Sequence, residues 1–156
     1  MTNNKTVITT PTDTQFLITR EFDLPKHLVY QAWTTPELIK RWFSEDQAEL
    51  TTVEMDLQVG GTWHLTVTMA NGAEANASGE YQEIVPNERY VTTQVFSDRP
   101  DEPIEVIFTL TETDGRTTLT ILEEHPSQRY RDEHLAMEES MPGKLDRLEQ
   151  LMKSVH

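Results

Sequence analysis

The run Thr62-Trp63-His64-Leu65-Thr66-Val67-Thr68-Met69-Ala70 alternates without a break, with Trp63, Leu65, Val67 and Met69 on one parity and Thr62, His64, Thr66 and Thr68 on the other. Successive side chains of a strand point to opposite faces, so this is a strand with one dry and one wet face. The same period runs outward on both sides, from Ala48 to Glu124. Before it come Thr51, Val53, Met55 and Leu57 on one parity; after it come Ile104, Val106, Phe108 and Leu110, then Leu119 and Ile121. Turn residues at Val59-Gly60-Gly61, Asn71-Gly72, Pro86-Asn87, Asp98 to Pro103 and Asp114-Gly115 divide the region into about six strands. One solvated face per strand predicts an antiparallel sheet.

The flanks obey other periods. Phe16, Ile18 and Phe22 share a parity that predicts an earlier strand, making about seven in all. Arg20 shares that parity, and a buried cation is costly unless paired, so it must lie at the sheet edge or reach a carboxylate. Leu28, Val29, Ala32 and Trp33 after Pro25, and Leu38, Ile39, Trp42 and Phe43 after Thr35-Pro36, read as two short helices. In the second, Thr35 is the expected N-cap. Beyond Pro126, Met137, Met141, Leu145, Leu148 and Met152 form one stripe of a long helix capped by Ser127. Pro142-Gly143 predicts a kink or restart within it. The expected organisation is a flexible N-terminal tail over residues 1–13 and one α+β domain over 14–156.

Composition narrows the function. Of 156 residues, 36% are hydrophobic and 26% charged, as in an ordinary globular domain. No stretch is apolar enough for a bilayer span or a secretory leader, so the expected location is cytoplasmic, without membrane contact. The chain has no cysteine, which removes disulfides, thiolate metal sites and thiol nucleophiles. Thirteen Lys and Arg against 27 Asp and Glu give a net charge of -14, a field that repels nucleic acid.

The element order and several short motifs resemble the START-like (SRPBCC) superfamily, in its branch named after the activator of heat-shock-protein-90 ATPase. The motifs are Arg20-Glu21-Phe22-Asp23-Leu24-Pro25, Val29 to Pro36, Lys40-Arg41-Trp42-Phe43, Asp56 to Trp63 with Gly60-Gly61, Gly79 to Ile84, and Leu145-Asp146-Arg147-Leu148. The resemblance implies a helix-grip fold, a curved antiparallel sheet around a long C-terminal helix. It also implies a cavity that binds a small apolar molecule. Candidate lining residues are Trp33, Trp42, Phe43, Met55, Trp63, Leu65, Val67, Tyr81, Phe96, Phe108, Met137 and Met141. A chaperone ATPase is the alternative partner that the branch implies, and an enzyme acting on a hydrophobic substrate is a third possibility. In one departure, Lys144 follows Gly143 where many members carry Trp.

Chemistry-bearing motifs are sparse. A Gly-x-Ser-x-Gly elbow is missing, and Gly60-Gly61 lacks a P-loop lysine and a following helix, so it reads as a tight turn. His64 takes the parity opposite Trp63 and is expected to point outward. Tyr81, Glu83 and Arg20 are the polar groups expected to meet inside, more as an ion pair than as a proton relay. Glu123, Glu124, His125, Asp132, Glu133 and His134 crowd the start of the last helix, where two imidazoles and a carboxylate are conceivable metal ligands. Without an i, i+4 histidine pair, and with acidic residues favoured at a helix N-terminus, the reading is a solvated face. The expectation is therefore no metal, no cofactor and no catalytic residue, in a monomer or homodimer.

Overall fold

The computed structural model describes residues 5–155. Strand β1 (Val7–Thr9) leads to β2 (Gln15–Phe22), then helices α1 (Lys26–Thr34) and α2 (Pro36–Phe43). Six strands follow: β3 (Ala48–Met55), β4 (Thr62–Met69), β5 (Glu74–Val85), β6 (Arg89–Phe96), β7 (Ile104–Thr113) and β8 (Arg116–Glu124). Helix α3 (Gln128–Met137), a 3₁₀ turn (Glu138–Ser140) and helix α4 (Met141–Val155) complete the chain. All eight strands join one antiparallel sheet in the order β1-β2-β8-β7-β6-β5-β4-β3. This is the helix-grip architecture.

The stretch expected to fray adds an edge strand instead. Ile8 pairs with Ile18 and packs partly against the core, whereas Val7 is exposed. The tail reading also covers residues 1–4, which lie outside the described residues.

Alternation in β2, β7 and β8 puts Phe16, Ile18, Phe22, Ile104, Phe108 and Leu119 wholly out of solvent, in one core cluster with Leu145, Leu148 and Met152 of α4. Arg20 lies among them at 3% exposure and reaches Asp146 at 2.6 Å and Glu149 at 3.0 Å. It therefore takes the carboxylate route, and in doing so ties α4 across β2. Arg131 plays a similar part on α3, where Nη1 donates to the Thr12 and Gln15 carbonyls and Nε to Asp132. The capping predictions divide. Ser127 accepts from the Tyr130 amide, but the Thr35 hydroxyl makes no cap bond.

Two bulges re-phase strands that simple alternation misreads. A register shift between Leu50 and Thr52 makes Leu50 and Val53 the buried pair of β3, so Thr51 turns outward and Leu57 lies exposed beyond the strand. A second, between Tyr81 and Glu83, leaves Tyr81 buried and Glu83 exposed. The C-terminal helix breaks at the 3₁₀ turn, so Pro142 sits in the first turn of α4, where its missing amide costs nothing. Met137 falls before the break and leaves the buried stripe, at 63% exposure.

Candidate functional site

Several inward side chains of the β3 to β6 half are left partly uncovered by the helices, although Leu50 and Val53 of β3 are buried beside α2. Leu65, Val67, Met55, Tyr90 and Phe96 point to the core side yet are only partly buried, because a cavity of about 360 Å³ opens beside them. On its wall lie Trp33, Trp42, Phe43, Met55, Trp63, Leu65, Val67, Tyr81, Phe96, Met137 and Met141. Phe108 is not on the wall. It is fully buried, stacked on Tyr90 with ring centroids 4.4 Å apart. Met137 reaches the wall while remaining mostly exposed.

The aromatic part of the wall is held from behind. Trp42 Nε1 donates to the Ala32 carbonyl at 3.0 Å, and Trp33 meets Trp42 edge-on at 4.7 Å. Trp63 Nε1 donates to Thr92 Oγ1 at 2.7 Å, and the indole covers Gly79, where a Cβ would stand 2.5 Å from Nε1. A side chain at position 79 therefore displaces Trp63 or the Thr93 carbonyl. Lys144, the residue that departs from the family motif, also reaches the wall and sets Nζ 3.8 Å from the Phe43 ring centre. Burial holds its ammonium below the ordinary lysine range.

The polar trio expected inside does not assemble. Arg20 is committed to α4, and the bulge turns Glu83 out to Arg89 at 2.7 Å. Tyr81 faces Tyr90 edge-on at 5.8 Å. Burial pushes the Tyr81 phenol up. His64 points outward, 3.2 Å from Asn76 Oδ1. Gly60 has φ of 85°, and a Cβ on Gly61 would stand 2.1 Å from the Asp56 carbonyl, which is the geometry of a tight turn.

The cluster read as a solvated face divides in two. Glu124, Asp132 and Glu133 are exposed, but Glu123, His125 and His134 are buried together at 6%, 3% and 2% exposure. Glu123 continues the inward parity of Leu119 and Ile121, and Tyr130, Arg131 and His134 form the buried face of α3. His134 Nδ1 lies 2.9 Å from His125 Nε2, and Nε2 lies 3.1 Å from Glu138. Glu123, His134 and Glu138 reach the cavity wall, as do Tyr90 and Lys144, none of which the sequence reading places there. Burial pushes the Glu123 carboxyl up to about 8, with the His134 charge opposing and that of Glu138 adding. Burial alone would lower His134, but its hydrogen bond to Glu138 and the two carboxylate charges outweigh that and raise it. Burial lowers His125, against the Thr14 bond. Among the described residues, two polar atoms of the wall residues are buried without a hydrogen-bond partner, Trp33 Nε1 and Glu123 Oε1.

Over residues 23–153 the sequence matches the family described as activator of Hsp90 ATPase homolog 1-like protein. The chain belongs to that family. Solved structures agree on the fold. A Rhodobacter sphaeroides protein superposes with a TM-score of 0.89 at 19% identity, covering 97% of this chain and 100% of that one. A Mycobacterium smegmatis protein gives 0.84 at 22%, covering 97% and 99%. A Nitrosomonas europaea protein gives 0.80 at 24%, covering 93% and 97%. At these identities the likeness shows the fold alone. No curated protein matches the sequence.

Proposed function

We propose that this Hsp90-activator-like domain binds a small apolar molecule between its sheet and its C-terminal helices. The supporting observation is the cavity itself, about 360 Å³ beside aromatic and aliphatic side chains that face inward yet stay partly uncovered. That volume lies in the range of small-molecule pockets, which are mostly apolar with a few placed polar groups. Trp33 Nε1 supplies such a group, a donor left for an occupant. Native mass spectrometry of the purified protein, followed by organic extraction, tests the reading. A stoichiometric apolar adduct, or uptake of a hydrophobic fluorophore that Ala77→Trp abolishes with the fold intact, supports it. Bare protein that takes up no fluorophore rejects it.

Family membership favours a second reading, a docking domain for a chaperone ATPase, because the matched stretch spans nearly the whole domain. A changed ATPase rate on mixing with an Hsp90-type chaperone supports it; an unchanged rate removes it.

A further inference from the structure

The two histidines at one end of the cavity have their outer nitrogens committed. His125 Nδ1 lies 2.9 Å from the Thr14 carbonyl oxygen, which can only accept, so Nδ1 carries the hydrogen and Nε2 keeps a lone pair. His134 Nε2 faces the Glu138 carboxylate at 3.1 Å, so it donates there, and in the neutral ring the lone pair is left on Nδ1. These two lone pairs confront each other across 2.9 Å. Bare nitrogens so close repel unless a positive centre lies between them. A third donor is at hand in Glu123 Oε1, buried, without a hydrogen-bond partner, and 3.7 Å from His134 Nδ1.

We propose that Glu123, His125 and His134 bind a divalent transition-metal ion, zinc being the best match to two imidazoles and one carboxylate. Their ligating atoms lie within 4.8 Å of one another. With metal-nitrogen bonds of about 2.05 Å, a nitrogen separation of 2.9 Å corresponds to an angle of roughly 90°, and a tetrahedral arrangement opens that separation by about 0.4 Å. The outer partners fit as well. A metal-bound histidine commonly donates its other N–H to a carbonyl or carboxylate, and here Thr14 and Glu138 take those places. Glu123 and Glu138 together carry the two negative charges that a buried divalent ion requires. Phe16, 5.1 Å from both imidazole rings, and Phe96, 5.3 Å from His134, wall the donors in. Glu123 and His134 also reach the cavity wall, so the fourth coordination position opens toward the cavity and is free for water or a ligand atom. The site stands on its own donors, whatever else the cavity holds.

The other candidate for the gap between the nitrogens is a proton, and the test separates the two. Tag-free protein stripped with chelator is titrated with Zn²⁺ by calorimetry and with Co²⁺ by visible absorption. The expected result is one bound equivalent and ligand-field bands, both lost in His134→Ala. Glu138→Gln, which keeps all three ligands, should weaken binding by about 10–100-fold. It serves as the decisive variant if His134→Ala does not fold. Absence of binding, affinity unchanged in Glu138→Gln, or a His134 ring that keeps both protons in excess Zn²⁺ by ¹⁵N NMR would overturn the proposal.

Discussion

The two halves of the sheet use the same alternation to different ends. Strands β2, β7 and β8 pack against the helices, and most of their inward side chains, Phe16, Phe108 and Leu119 among them, are wholly out of solvent and off the cavity wall. Strands β3 to β6 carry inward residues of the same kind, yet Met55, Leu65, Val67 and Phe96 keep partial exposure beside the cavity. Period two assigns a face but not a partner across it. The difference arises from the helices, because the buried stripe of α4 begins only at Met141, after the 3₁₀ turn. One half is mostly core, meeting the cavity only at Ile18, Val106, Ile121 and Glu123, and the other is mostly container.

That contrast is open to attack by mutation. In the filled half, Leu148→Ala should cost about 3–4 kcal/mol in urea unfolding, since a fully buried leucine leaves both lost transfer energy and a void. Arg20→Met should cost about 3 kcal/mol, because Glu149 stays buried after losing one of its cations.

At the boundary between the halves, Glu123 brings a pH dependence. Its folded carboxyl titrates near 8 against an ordinary 4.5, so its contribution is fully present below pH 4.5 and is lost as pH rises through 8. His134, also raised, acts in the same direction from pH 6.5 upward. In chelator, Glu123→Gln should therefore flatten the loss of stability between pH 4.5 and 8, by a few kcal/mol. An unchanged pH profile would mean that the carboxyl is not held neutral.

The smallest effect belongs to the hollow half. Val67→Ala should cost less than about 1 kcal/mol, because its side chain already borders space. A loss as large as that of Leu148→Ala would erase the distinction between the halves.

The element order was legible because the change of period, from two to three or four and back, is written in runs such as Thr62 to Ala70 and Leu145 to Met152. What escaped was local. A bulge needs only one extra residue, and nothing in Leu50-Thr51-Thr52 or Tyr81-Gln82-Glu83 distinguishes a bulged strand from a regular one. Glu83 was misplaced for that reason. The wall residues on β4 followed from parity, whereas Phe108 shares an inward parity and still misses the wall, since its place depends on Tyr90 stacking over it. The buried cluster carries a signal in its parity. Leu119, Ile121, Glu123 and His125 share one parity, so the pattern pointed inward even though the charges suggested solvent. His134 had no comparable mark, because α3 carries its polar residues almost all round.

Arg20 and Arg131 are turned inward to satisfy carboxylates and carbonyls, and two carboxylates, Glu123 and Glu149, are buried with them. The inward formal charges balance, so the outer shell keeps the whole formal net charge of -14, and its carboxylates repel one another across the surface. Added salt shortens the reach of that repulsion to about 8 Å at physiological ionic strength. The folded chain should accordingly melt higher, and neighbouring molecules approach more readily, as ionic strength rises from low values.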